Sequence, residues 1–338
     1  MRDNKLKRQR VTGNPLIFQH FLSGNLINLL TLKRQSTAPL LNVSSFTLVL
    51  AALLLLFTST AFIVNQLHTQ FPGNNYLPPS FVLNGLILLF LGWGVYLWFG
   101  QSSHAFRLAR EFIYFFLVVV VVGLTTNAAQ YTPFEPIDRH IIAMDRFLGI
   151  NLSHLMEWTT AHPLLKQMLA WSYRSLPVQM CYIPFLLIIA GKFTVIREYY
   201  ALILLTTLIG FSVYYFFPTL GPASAVESAF FIQEQQATGL KFTEIHNHIA
   251  PSTSEGGLIA MPSFHTIWAW LCLYSLRCWP LAFVALFPLT FLLVCSCVLL
   301  GWHYGMDIVA SVLILSLSHW IYWRINNSHW RIHRNQIK

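Results

Sequence analysis

The sequence predicts an all-α, polytopic bundle of about eight transmembrane helices. Its 338 residues are 55% hydrophobic and only 10% charged, whereas a soluble domain carries about 25% charged residues. Uncharged apolar runs recur along the chain, and several approach the roughly 20 residues that a helix needs to cross a bilayer. Because lipid offers no hydrogen-bond partners to an open backbone, these runs are expected to be helical.

Eight apolar runs are predicted to form the spans. Two of them, 176–191 and 261–276, are shorter than the others. In chain order, the runs are 46–64, 81–99, 112–129, 176–191, 199–217, 261–276, 281–300 and 304–323. A transmembrane barrel would instead show short segments of alternating hydrophobicity, and the sequence has none. The protein is therefore expected to be an integral, multi-pass membrane protein.

The basic residues predict which side of the membrane each loop occupies. The net charge is +9, and an even number of spans places both termini on one side with 16 of the 21 Lys and Arg residues. The other side keeps Arg139, Arg146, Lys166, Arg174 and Lys241. This is the positive-inside pattern, so both termini are predicted to be cytoplasmic. The alternative explanations of the basic residues are binding of lipid headgroups and binding of nucleic acid, but no nucleic-acid partner is predicted.

The segments between and beyond the spans have distinct compositions. Residues 1–44 predict a basic, amphipathic cytoplasmic tail, 45–101 an N-terminal transmembrane hairpin, and 324–338 a second basic cytoplasmic tail. The outer segment 130–174 mixes apolar and charged residues at helical spacing, which predicts one or two interfacial helices. Segment 218–260 is punctuated by Pro and Gly and predicts a long external loop. The five cysteines lie in or beside spans, so no disulfide framework is predicted.

Three polar stretches are predicted to face the same, non-cytoplasmic side: FFPTLGPASA (216–225), MPSFHT (261–266) and GWHYGMD (301–307). Polar residues at membrane depth are costly and usually face a bundle interior or a cavity. In MPSFHT, Pro262 suits the first turn of a helix, whose free N–H groups and the Ser263 hydroxyl favour an anion. A helix cap followed by an interfacial histidine, His265, is the alternative interpretation.

The stretch HYGMD places His303 and Asp307 four residues apart, so a helix beginning there brings them to one face. A carboxylate that holds one imidazole nitrogen fixes the tautomer and stabilises the charged ring. The other nitrogen can then act as a nucleophile or a base. A structural His–Asp pair at a helix start is the alternative.

Together, a PSxH motif opening one span and an HxxxD motif opening the next span but one resemble the type 2 phosphatidic acid phosphatase superfamily. The version here, with FPTLGP before MPSFHT and GWHYGMD after it, is most similar to the branch of inositol phosphorylceramide synthase-like membrane proteins. The resemblance covers residues 107–323 and implies a six-span, six-helix catalytic core. The N-terminal hairpin and both tails lie outside it.

The resemblance implies a two-step phosphoryl transfer without metal or cofactor on a phospholipid or prenyl-phosphate-like substrate. His303 would attack phosphorus and form a phosphohistidine, with Asp307 orienting it. His265 would protonate the leaving alkoxide and later deprotonate the acceptor, and Ser263 would hold phosphate oxygens. The site would open on the periplasmic, extracellular or luminal side, which is the periplasmic face of the inner membrane if the protein is bacterial.

Two departures from the family pattern remove cations. The family's KxxxxxxRP motif is absent, with Ala223 where relatives often carry arginine, and Cys297 replaces the arginine of the last motif. Arg174, at the outer end of a core span, is predicted as the first substitute for binding phosphate, ahead of Arg139 and Lys241; an interfacial anchor is its alternative role. These losses favour a phosphodiester or another singly charged substrate, or weak catalysis.

Several functions stay open at this point. The family's chemistry allows a phosphatase, in which water is the acceptor, or a transferase that delivers a phospho-headgroup to an alcohol. A non-catalytic lipid-binding or transport relative is a further alternative, whereas a channel or secondary transporter would predict inverted repeats that the sequence lacks. Glu244, His246 and His248 alternate in TEIHNHIA as metal ligands can, but no further ligand cluster accompanies them, and a solvated loop is preferred.

Overall fold

The computed structural model describes residues 45–71, 80–253 and 259–336, with side chains to residue 326. In these ranges the chain is all-α, with no strand. The helices are α1 Ser45–Val64, α2 Ser80–Phe99, α3 His104–Ala129, α4 Asp138–Phe147, α5 Leu152–Thr160, α6 Pro163–Arg174, α7 Leu176–Ile189, α8 Phe193–Phe216, α9 Pro222–Ala225, α10 Gln233–His246, α11 Phe264–Ser275, α12 Pro280–Leu299 and α13 Gly305–Gln336. The predicted tail 1–44 lies outside the described residues.

Within the described residues, six helices are long and apolar enough to cross a membrane, which confirms a polytopic all-α protein. They are Ser45–Thr69, which adds a π-helical turn to α1, then α2, α3, α8, α12 and the part of α13 over Gly305–Asn326. The other two predicted spans form the shorter helices α7 and α11, of 14 and 12 residues. Helix α11 begins only after its cap residue Ser263, and α7 begins directly after Ser175, which joins it to the end of α6.

The long helix α8 forms the centre of the bundle. Its side chains are buried along most of its length, including Tyr199, Leu202 and Phe211. Helix α1 packs into the same core through Leu50 and Leu54. In contrast, α2 is exposed along nearly its whole length, as expected for a helix whose surroundings are lipid tails. The two helices predicted to form the N-terminal hairpin therefore differ: α1 is a core helix and α2 is a peripheral one.

Ion pairs join the helices at one end of the bundle. Glu111 of α3 is wholly buried and accepts a hydrogen bond from Arg197 Nε of α8 at 3.1 Å. Glu198 forms an ion pair with Arg277, which follows α11, and accepts a hydrogen bond from Tyr274 Oη at 3.0 Å. Arginines predicted to be cytoplasmic thus lie at one end of the bundle, where the carboxylates of Glu111 and Glu198 pair with them.

The two segments predicted to lie outside the membrane, 130–174 and 218–260, are more helical than the sequence predicted. Segment 130–174, expected to hold one or two interfacial helices, contains three: α4, α5 and α6. Helix α6 packs along α12, and only Ser175, itself in a helical conformation, separates it from α7. Segment 218–260, expected to be a loop, contains the 14-residue α10. Packing against the bundle stabilises these amphipathic segments, and their sequence pattern alone does not reveal that packing.

Candidate active site

The three polar stretches come together at the end of the bundle opposite the ion pairs. Gly221, Ala223, His265 and His303 line one cavity of about 80 Å³. The start of α11 and the start of α13 are joined directly, since Ser311 Oγ donates to the backbone oxygen of Ser263 at 3.0 Å. The predicted convergence of these stretches on one face is therefore present in the fold.

His303 and Asp307 form a buried pair at the start of α13. His303 Nδ1 lies 3.1 Å from Asp307 Oδ2, and the two residues are 5% and 0% exposed. The same carboxylate oxygen accepts the backbone N–H of Tyr304 at 3.0 Å. His303 itself precedes the helix, which begins at Gly305. With Nδ1 turned to the carboxylate, Nε2 is the nitrogen left for chemistry.

The backbone that carries His303 is fixed from two directions. The His303 N–H donates to the carbonyl oxygen of Cys297 at 2.8 Å, closing the turn that follows α12. Gly301 within this turn has a φ of +79°, and a Cβ there would collide with the side chains of Met156 and Phe231. Only glycine fits both the left-handed backbone and the close contact.

The second histidine of the site, His265, lies in the first turn of α11. Its ring centroid is 6.0 Å from that of His303, and the rings are inclined by 57°. Both imidazoles line the same cavity. A single small ligand group between them can therefore contact both rings.

Tyr173 of α6 is a site residue that the sequence did not single out. Its ring stacks on His265 at 4.1 Å between centroids and on Trp302 at 5.0 Å, with interplanar angles of 14° and 8°. The Tyr173 hydroxyl lies 3.4 Å from His265 Nδ1, but the near-parallel rings place it above the imidazole, where a hydrogen bond is weak. Its position next to the predicted Arg174 was the only sequence signal.

Ser263 is wholly buried and caps α11. Its Oγ accepts from the backbone N–H of Thr266 at 3.4 Å and lies 3.7 Å from Cys297 Sγ. Cys297, the residue in the family's arginine position, therefore contacts the cap, while Ala223, at the other such position, lines the cavity. Both departures from the family pattern are thus located at the site.

The predicted cations lie elsewhere than beside the histidines. Arg174 is 69% exposed in its side chain and pairs with Glu234 at 3.6 Å, in the wall of a neighbouring cavity. Arg139 is exposed on α4. Lys241 is buried on α10, and burial lowers its pKa to about 8. Among the described residues that line the histidine cavity, none is Lys or Arg.

Two buried aspartates on α4 hold the loops of the site, and the sequence analysis did not identify them. Asp138 accepts the backbone N–H groups of Leu220 and Gly221 at 2.8 and 3.1 Å, and Tyr304 Oη at 2.8 Å. Asp145 accepts the N–H groups of Gly305 and Met306 at 2.9 and 2.8 Å. Burial raises the pKa of both carboxyls, and these hydrogen bonds oppose the rise.

The TEIHNHIA stretch lies at the end of α10 and just beyond it. His246 is in the last turn of the helix, and His248 stacks on Phe71 at 4.4 Å between centroids. Within the part of the chain that the structure describes, no three His, Cys, Asp or Glu side chains gather closely enough to hold a metal ion.

The fold and the site define a class: a polytopic helical membrane protein with two histidines, one bound to an aspartate, in a cavity at one end of the bundle. Residues 139–321 match the PAP2 superfamily, the type 2 phosphatidic acid phosphatases. The chain belongs to this superfamily, whose members are phosphatases and phosphotransferases that act on lipid phosphates. Comparisons with curated proteins and with solved structures found no match.

Proposed function

We propose that this protein is a membrane lipid phosphatase or phosphotransferase that works through a phosphohistidine on His303. The observation that carries the proposal is the pairing of His303 Nδ1 with Asp307 at 3.1 Å in a cavity shared with His265. A structural His–Asp pair needs no second histidine facing the same space. Nucleophilic catalysis needs both an oriented nucleophile and a group that exchanges protons with the ester oxygen.

In the first step, His303 Nε2 attacks phosphorus as the bond from phosphorus to the ester oxygen breaks. His265 gives its proton to the departing alkoxide, so a neutral alcohol leaves and a phosphohistidine remains. In the second step, water or an alcohol gives a proton to His265 and attacks phosphorus, and the bond from phosphorus to nitrogen breaks. Asp307 stabilises the positive charge that His303 carries at each stage. No metal takes part, so chelators should leave turnover unchanged.

The absence of Lys and Arg from the described lining of the cavity favours a phosphodiester over a monoester dianion. A dianion without a charge-assisted hydrogen-bond partner is poorly held. This supports, as the second candidate, a transferase similar to the inositol phosphorylceramide synthase-like branch, which would move a phospho-headgroup to an alcohol acceptor. Arg174 stays in the proposal as a cation that leaves Glu234 to approach the phosphate when substrate is bound, whereas the buried Ser263 contributes by capping α11.

The site is proposed to face the non-cytoplasmic side of the membrane. The histidines lie at the end of the bundle opposite Arg197 and Arg277, and basic residues gather on the cytoplasmic side of membrane proteins. The substrate would then be drawn from the outer leaflet. Labelling of single cysteines introduced at exposed Arg139 and at Lys192 with an impermeant reagent in intact cells tests the sidedness.

The decisive experiment is trapping of the intermediate in purified protein. With radiolabelled phospholipids and prenyl phosphates, the wild-type protein should acquire acid-labile label and release product, and His303→Ala should do neither. His140→Ala, which alters an exposed histidine on α4, is the matched control. Free phosphate identifies a phosphatase, and an added alcohol that acquires label identifies a transferase. Turnover by His303→Ala equal to wild type would refute the nucleophile, and no turnover of any lipid by wild type would favour a non-catalytic relative.

A further inference from the structure

A second, larger cavity adjoins the histidine cavity. Its volume is about 370 Å³, within the range of small-molecule sites. Helices α5, α6 and α10 and the turn after α12 provide its walls. The proposed chemistry at His303 does not require this space.

Most of the walls are apolar. Met156, Ala170, Phe230, Leu299 and Leu300 line the cavity. Buried apolar surface of this kind binds hydrocarbon, because burial removes the chain from water. The interior therefore has the chemistry of a chain-binding site.

Charged groups also line this cavity, and each has a partner. Lys166 Nζ donates to Thr160 Oγ1 at 3.0 Å, and Arg174 pairs with Glu234 at 3.6 Å. These residues contribute polar atoms beside the apolar walls. An amphiphile with an anionic head and an apolar body matches this combination better than a purely polar ligand does.

The two cavities share a wall made of Tyr173, Gln235 and Trp302. Gln235 is fixed there, because its Nε2 donates to the Leu300 oxygen at 2.8 Å and its Oε1 accepts the Ile232 N–H at 3.0 Å. The wall ties α10 to the end of α12 and so fixes one side of the larger cavity. A phosphorus atom beside His303 would have its ester substituent next to this shared wall.

We propose that the larger cavity binds the hydrocarbon chain of the phosphate ester whose phosphorus reaches His303. The inference rests on the proposed function and adds where the substrate's chain is bound. It also explains how a substrate binds although the described lining of the histidine cavity lacks cations. Burial of the chain provides the binding free energy that charged groups around a phosphate would otherwise provide. The chain then lies between α5, α6 and α10 and is withdrawn from the surrounding lipid.

The test is photoaffinity labelling of the whole protein in nanodiscs with hexadecyl methyl phosphate, a phosphodiester, that carries a diazirine at the end of its hexadecyl chain. Cross-linked peptides should map to α5, α6 and α10. Ala170→Trp fills the cavity, so labelling should fall about tenfold. Met168→Trp adds the same bulk at a position of the same helix that is 53% exposed and should label as wild type does. Ala170→Leu is a milder filling variant if the Trp variant does not fold.

A second measurement links the cavity to turnover. The Ala170 variants should lose about tenfold in turnover of hexadecyl methyl phosphate relative to butyl methyl phosphate, whose butyl chain is too short to need the cavity. Labelling confined to lipid-facing residues, or unaffected by either Ala170 variant, would overturn the inference. His303→Ala separates the two proposals, because it leaves the larger cavity intact. If this variant is labelled normally and also turns over substrate normally, the role of His303 as nucleophile is refuted alone. If active wild-type protein is not labelled, the binding of the chain in the larger cavity is refuted alone.

Discussion

At the scale of single residues, the site depends on how each imidazole is held. His303 is held by a carboxylate, whereas the ring of His265 is held by the face of Tyr173. A carboxylate stabilises positive charge on the ring that it contacts, and stacking mainly fixes orientation. The two histidines are thus held in different ways, which suits the different tasks proposed for them, nucleophile and proton carrier.

The first prediction concerns Asp307. Asp307→Asn keeps the shape of the side chain but removes its charge and favours the wrong tautomer of His303. We expect turnover to fall by about 10²- to 10⁴-fold, measured as initial rates on the best lipid of the substrate panel. Glu157→Gln, at an exposed position of α5, is the matched control. Equal rates for Asp307→Asn and wild type would contradict an orienting role.

The second prediction separates the ring of Tyr173 from its hydroxyl. The hydroxyl lies above the imidazole of His265 instead of in its plane, so Tyr173→Phe should keep turnover close to wild type. Tyr173→Leu removes the stack between His265 and Trp302 and should lower turnover about tenfold, because aromatic pairs stabilise a fixed ring orientation by about 0.5–1.5 kcal/mol. A larger loss in the Phe variant than in the Leu variant would show that the hydroxyl is the important group.

Sequence reasoning identified the residues whose type is itself the signal. His265, His303 and Asp307 stand in short motifs at the starts of apolar runs, and the structure brings them together. Tyr173, Asp138 and Asp145 have no such signal. Their roles depend on α4 and α6 folding back onto loops between 82 and 166 residues away in sequence, and no local pattern encodes that contact.

At the scale of elements, α4 acts as a support for the two loops of the site. The third prediction is that Asp145→Ala lowers both stability and turnover. Two N–H groups at the start of α13 lose a charged acceptor, which costs about 1.5–3 kcal/mol per bond. The His303 turn then loosens, so turnover should fall as well. Thermal unfolding and initial rates measure the two effects.

Arg139→Ala, on the exposed side of α4, is the control for this prediction and should change neither quantity. Asp145→Asn should be intermediate, since an amide oxygen can still accept one N–H but carries no charge. If Asp145→Ala behaved as wild type in both measurements, the support by α4 would be unnecessary.

The fourth prediction concerns the end of α10. Burial lowers the pKa of His246 to about 4, with a smaller effect of His248 in the same direction. The folded protein therefore binds fewer protons here than the unfolded chain between the ordinary pKa of 6.5 and about 4. Stability should consequently fall as the pH drops through this window.

Thermal unfolding at neutral pH and at about pH 5 measures this fall, and His246→Gln should reduce it. His154→Gln, which replaces an exposed histidine of α5, should leave the pH dependence as in wild type. An unchanged pH dependence in His246→Gln would mean that other groups govern acid stability.

At the scale of the whole molecule, the N-terminal hairpin contributes to the bundle unequally. Leu54 of α1 is wholly buried in the central core, and Thr58 Oγ1 donates to Thr125 Oγ1 of α3 at 2.9 Å. Among the described helices, α2 packs extensively against α3 alone. Helix α1 therefore supports the same core that holds α8, although the resemblance to the family begins only after the hairpin.

The fifth prediction follows from this packing. Leu54→Ala should destabilise the protein by about 2–5 kcal/mol, because it leaves a cavity in the core. Leu56→Ala, on the same helix but 64% exposed, should have little effect. Thermal unfolding in one detergent compares the two variants. Equal unfolding temperatures would show that α1 is as peripheral as α2.

The number and order of long apolar helices could be predicted because a bilayer demands about 20 apolar residues from each span. Six of the eight predicted runs meet that demand in the structure. The limits of α7 and α11 fall close to the predicted runs 176–191 and 261–276, since the two helices cover Leu176–Ile189 and Phe264–Ser275. The helical content of 218–260 was missed because Pro and Gly at its edges hid the run Gln233–His246.

The seven-residue spacing of Asp138 and Asp145 on α4 has a mechanical consequence. The two carboxylates project from one rigid helix, about two turns apart. Asp138 holds the Leu220–Gly221 turn, and Asp145 holds the start of α13. Tilting of α4 would move the His303 turn and the Leu220–Gly221 turn together, so the whole histidine cavity would widen or narrow. A contact with Arg139 or His140, on the exposed side of the same helix, would therefore displace both of these walls of the histidine cavity at once.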